Sequence, residues 1–150
     1  MFPAVALLLL APTMMEKFPV AGGHVEVWRS HSLMQGAPKE VTRAYLMVHG
    51  TNRNAEDYFH WALASAAAAG ELEKTVVVAP HFKARTRDER GDGVDPGEWF
   101  WTNEGWKAGE RALNGEPSSF DVMDALLTAL NDEKRFSGLK EIVVAGHSAG

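Results

Sequence analysis

Hydrophobic positions fall into short apolar runs separated by amphipathic stretches. In His24 to Arg29 (HVEVWR), Val25 and Val27 alternate onto one face, which predicts an outer antiparallel strand. Ser30 to Glu40 is polar with Gly36 and Pro38 and predicts a turn. Ala44 to His49 (AYLMVH), Thr75 to Ala79 (TVVVA) and Glu141 to Ala145 (EIVVA) are continuous apolar runs, the pattern of strands covered on both faces. Asn54 is placed to cap a helix with Glu56 and Asp57 in its first turn. Tyr58, Trp61, Ala62 and Ser65 share one face of that helix, and Gly70 ends it. A second helix starts at Ser118 or Ser119, with Phe120, Met123, Leu127 and Leu130 as its core face, and Gly138 marks the exit. Between them His81 to Pro117 is irregular, and loops of that length are usually functional or mobile. Apolar strands alternating with helices predict an α/β domain with a parallel sheet and right-handed crossovers.

Composition narrows this picture. At 150 residues and 45% hydrophobic, the chain is sized for one globular unit, which spans residues 23–150. Residues 1–22 are set apart. Phe2 to Ala11 is apolar but short of the ~20 residues that span a bilayer, so no transmembrane segment is expected. That run has the length of a signal-peptide core, although no Lys or Arg precedes it, and residues 1–22 read either as a signal remnant or as a disordered tail. The first reading favours a secreted or periplasmic protein, the second a cytoplasmic one. A net charge of -5 provides no basic surface for phosphates, which argues against nucleic acid as a partner. The absence of cysteine excludes disulfides, thiolate metal sites and cysteine nucleophiles.

Candidate chemistry concentrates in Gly146-His147-Ser148-Ala149-Gly150, directly after the run Glu141 to Ala145. A serine at a tight strand-to-helix turn takes strained backbone angles, and flanking glycines remove the side chains that would clash there. Ser148 is therefore the candidate nucleophile, and the Ala149 N–H a candidate oxyanion donor. Upstream, His49-Gly50-Thr51 ends an apolar run and precedes a helix, the place for a second donor from Thr51.

The order strand, His-Gly loop, helix, strand, Trp-rich loop, helix, strand, Gly-His-Ser-Ala-Gly resembles the serine hydrolases of the α/β-hydrolase superfamily, from about His24 to Gly150. The resemblance implies an α/β-hydrolase fold, with a mostly parallel sheet, helices on both faces and the C-terminal half absent. It implies Ser148 as nucleophile, with the Thr51 and Ala149 N–H groups as the oxyanion hole, a role Asn52 could share. It further implies a small-molecule carboxylic ester or related acyl substrate, with no metal and no cofactor. The same elbow also serves amide hydrolysis and acyl transfer. In this superfamily the acid and the histidine follow the serine, whereas all six histidines here precede it. Residues 1–150 are thus expected to be a partial domain, inactive alone and poorly soluble. The rival reading is a non-catalytic binding or interaction module that lacks the acid and histidine. His147 is too close in sequence to serve Ser148, and His49 is expected to hold the loop beneath the site.

Two other stretches carry candidate chemistry. Asp88 to Glu98 (DERGDGVDPGE) departs from a calcium loop, with Arg90 where a ligand belongs and Trp99 where the closing Glu belongs. Trp99, Phe100, Trp101 and Trp106 are dense for a loop; Trp99, Trp101 and Trp106 either line a substrate pocket or form the packing core of a lid. No P-loop, dinucleotide fingerprint or His-Glu-x-x-His motif is present.

Overall fold

The computed structural model describes residues 14–88 and 90–150. Along the chain run β1 (Met15–Val20), β2 (Gly23–Arg29), β3 (Arg43–Val48), α1 (Ala55–Ala68), β4 (Thr75–Pro80), α2 (Gly105–Ala108), α3 (Ser119–Leu130) and β5 (Glu141–Gly146). The apolar run Phe2 to Ala11 lies outside the described residues. No described helix is long and apolar enough to cross a membrane.

The strands form one sheet in the order β1-β2-β4-β3-β5. Its β1–β2 and β2–β4 pairings are antiparallel and its β3–β4 and β3–β5 pairings parallel. This corrects the expected mostly parallel sheet of an α/β-hydrolase half: the sheet is mixed, with three α-helices among the described residues. The difference originates in β1, whose residues fall in the segment expected to be a tail. Ala21 and Gly22 take positive φ values of 49° and 82°, the backbone twist that suits a two-residue hairpin, and so turn β1 back antiparallel onto β2. Strand β2 is consequently an interior strand, not the outer one that its alternation suggests.

The core lies on both sides of β4, all six of whose residues are buried. On one face Val76 and Val78 join Val25, Val27, Ala44 and Leu46 beneath Val122, Leu126 and Leu130 of α3 and the rings of Phe82 and Trp101. On the other face Val77 and Ala79 pack with Phe59 and Ala62 of α1, flanked by Trp28, Tyr45 and Met47.

Both long helices form near their expected ends but rotate their buried faces by about one residue. Helix α1 buries Ala55, Tyr58, Phe59, Ala62 and Ala66, while Trp61 is 55% exposed. Asn54 precedes it without a side-chain cap; at its end the Gly70 N–H donates to Ala67 O and the Glu71 N–H to Ala66 O, a pattern allowed by Gly70 at φ +71°. Helix α3 starts with a reciprocal capping box in which the Asp121 N–H donates to Ser118 Oγ and the Ser118 N–H to Asp121 Oδ2. It buries Ser119, Val122, Leu126, Ala129 and Leu130 and leaves Phe120 exposed.

Strand β5 corrects another expectation. Its apolar run predicts burial on both faces, yet among the described residues it is an edge strand, and Val143 and Val144 are exposed. An apolar run reports that a strand can be buried; its place in the sheet decides whether it is.

Candidate active site

The elbow forms where β5 ends. Ser148 takes φ +61°, a left-handed backbone that side-chain-bearing residues rarely adopt. Such strain persists only where the surroundings enforce it, and here the glycines do. A Cβ on Gly146 would lie 2.2 Å from the carbonyl carbon of Gly150, and a Cβ on Gly150 would lie 2.4 Å from Val48 O. The first contact folds the turn onto itself, and the second presses it against the end of β3.

That second contact joins the elbow to the His49-Gly50-Thr51 loop. A Cβ on Gly50 would lie 3.4 Å from Ser148 Cβ and 3.2 Å from His147 O, so the serine packs directly over Gly50. The loop is fixed from beneath by His49, which is fully buried. Its Nδ1–H donates to Gly50 O at 2.9 Å, and its Nε2 accepts the Phe82 N–H at 2.9 Å. Accepting at Nε2 requires the neutral ring. Burial depresses its pKa to about 4, with neighbouring His81 and Arg53 acting in the same direction. His49 is thus a structural pin rather than a proton carrier at neutral pH.

Beyond Gly50 the loop is held by Arg53, whose φ is +55°. Its guanidinium donates to both Asp92 carboxylate oxygens, at 2.6 and 3.3 Å, and to Asn103 Oδ1 and Thr51 O. Asp92 Oδ2 also accepts the Ala84 N–H at 2.8 Å. The loop carrying Thr51 is thereby tied to the irregular stretch after β4. Neither the Thr51 nor the Ala149 N–H donates a hydrogen bond among the described residues, which leaves both available to an incoming oxygen.

Next to the elbow is a mostly apolar cavity of about 150 Å³ lined by Val48, Phe82, Trp106, Met123 and Ala149, together with Ser119, Gly150 and Lys107, whose Nζ pairs with Glu104. Phe120, expected in the core of α3, lines it too. Trp106 is held edge-on to His49, with ring centroids 4.7 Å apart, and stacks on Phe82 at 5.7 Å. The other two tryptophans lie elsewhere. Trp101 is fully buried, donating from Nε1 to Glu110 O, and Trp99 donates from Nε1 to Val20 O at the β1–β2 hairpin.

No histidine or carboxylate among the described residues hydrogen-bonds to Ser148. His147 turns instead to Tyr58, sharing a 3.0 Å hydrogen bond between its Nδ1 and the phenol. His81 Nδ1–H donates to Glu26 Oε1 at 3.1 Å, and this bond, with Lys83 assisting against burial, holds the Glu26 pKa at about 2. The described acids of the Asp88 to Glu98 stretch are taken by protein cations: Asp88 by Arg90, Asp92 by Arg53, Asp95 by Lys17 and Glu98 by Lys83. His24, Asp95 and Glu98 bring ligand atoms within 4.8 Å of one another, but the two lysines already supply the positive charge there.

The chain matches no family model, no curated protein and no solved structure.

Sequence reasoning missed Arg53, Asp92 and Tyr58. No local pattern marks them, because their partners are 39, 39 and 89 residues away in the chain.

Proposed function

We propose that the protein is a serine hydrolase that cleaves a carboxylic ester or related acyl bond, with Ser148 as nucleophile. The observation that carries this reading is the left-handed Ser148 backbone packed over Gly50. It supports a nucleophile elbow set against an oxyanion loop, the arrangement in which the superfamily resemblance assigns both roles. Ser148 Oγ attacks the carbonyl carbon, and the Thr51 and Ala149 N–H groups stabilise the tetrahedral oxyanion. This attack requires a base to take the serine proton, since a free hydroxyl is a weak nucleophile, and among the described residues no histidine or carboxylate hydrogen-bonds to Ser148. The apolar cavity beside Ala149 receives the acyl chain.

That no described histidine or carboxylate bonds to Ser148 favours a second reading, a module that binds an acyl compound without turning it over. Hydrolysis of p-nitrophenyl butyrate by the native protein separates the two. The hydrolase reading expects turnover that falls to background in Ser148→Ala. Turnover unchanged by Ser148→Ala contradicts it; residues 1–150 alone, in which every histidine precedes the serine, are expected to show no turnover on either reading.

A further inference from the structure

The two proposed oxyanion donors belong to different cavities. Ala149 lines the apolar one, whereas Thr51 lines a separate and larger cavity of about 600 Å³. Arg53, Arg85, Arg87 and Arg90 line this second cavity with Thr86, Thr102 and Asn103, and no Asp or Glu lines it among the described residues. A cavity walled by arginines in an acidic protein of net charge -5 is not explained by overall composition.

Part of its wall is held by the fold, while Thr86, Arg87 and Arg90 are exposed. Arg53 is clamped by Asp92 and Asn103. The Arg85 guanidinium lies over the Phe100 ring at 5.5 Å. The Arg90 N–H donates to Thr86 Oγ1, and the Thr86 N–H donates back to Arg90 O at 2.7 Å, closing the turn that carries Arg87. Arg53 and Arg90 have acidic partners in Asp92 and Asp88, and Arg87 has no ion pair among the described residues. Arginine forks suit planar oxyanions, which they bind through paired N–H donors.

We infer that this arginine-lined cavity binds an anionic group of the substrate, a carboxylate or a phosphate, on the side of the scissile bond opposite the apolar acyl cavity. The inference rests on the hydrolase reading only for which molecule carries the anion. A carbonyl held between the Thr51 and Ala149 N–H groups sits between an apolar and a cationic compartment. The preferred substrate is therefore an acyl ester with an apolar acyl chain and a charged leaving group.

Isothermal titration of the full chain with glutarate and, separately, inorganic phosphate tests this without requiring turnover. Saturable binding of either ion is expected, about tenfold weaker in Arg87→Gln. It should be unchanged in Arg111→Gln, which removes an exposed arginine paired with Glu116. Binding of glutarate alone assigns a carboxylate, and of phosphate alone a phosphate. Absence of binding by both ions in a protein with a cooperative melt, or equal binding by wild type and Arg87→Gln, overturns the inference. Ser148→Ala should bind as wild type does, so a failure of the nucleophile assignment leaves this result distinguishable.

Discussion

Strands β4 and β5 are near twins in sequence and opposites in environment. TVVVAP and EIVVAG share two adjacent valines followed by alanine, yet β4 is buried throughout and β5 exposes Val143 and Val144. Between β2 and β3, β4 has one face under α1 and the other under α3. Among the described residues, strand β5 pairs only with β3. The covered strand anchors the core, and the open strand presents the elbow. Apolar character sets what a strand tolerates, while topology sets how much stability it supplies.

The sharpest way to break this comparison is to place the same charge in both strands. Val78→Asp buries an unpaired carboxylate and should cost more than ~4 kcal/mol, whereas Val144→Asp should stay within ~0.5 kcal/mol, by urea unfolding. Equal losses would show that β5 is as enclosed as β4. Just beyond β4, Lys83 reaches Glu98 at 3.0 Å and Glu26 at 3.1 Å, and Glu98 is only 2% exposed. Lys83→Ala strands that carboxylate and should cost about 3–5 kcal/mol, while Lys83→Met with Glu98→Gln should recover much of the loss.

Acidification probes the centre more gently. Folded His49 titrates at about 4, against the ordinary histidine value of 6.5 in the unfolded chain. Its contribution is steady above pH 6.5; from there down to pH 4 the unfolded chain takes up a proton that the folded chain refuses, and stability falls by about 3 kcal/mol. Glu26, depressed from 4.5 to about 2, adds a later loss as pH falls from 4.5 towards 2. Melting temperatures that stay flat between pH 6.5 and 4 would contradict the neutral, Nε2-accepting ring.

The elbow was legible in the sequence because its constraint is local and steric: only glycine fits at Gly146 and Gly150, where added carbons would meet backbone at 2.2 and 2.4 Å. The interior runs of β3 and β4 were legible for a similar reason, as were the start of α3 at Ser118 and the Gly70 stop. What needed the fold was non-local. Helical spacing placed Trp61 and Phe120 inside, although a one-residue rotation exposes both. Strand β1 reads as tail until its register on β2 is known, and mixed pairing followed from that omission. Arg53 carries no motif; its role exists only once Asp92 and Asn103 arrive from the loop after β4.

The nucleophile assignment is tested most directly by fluorophosphonate labelling of the native protein, followed by mass spectrometry of the peptide that begins at Glu141. The account predicts a single covalent adduct on Ser148, abolished by prior heat denaturation and absent in Ser148→Ala. An unmodified Ser148 in folded protein, under conditions that label a known serine hydrolase to completion, would contradict it.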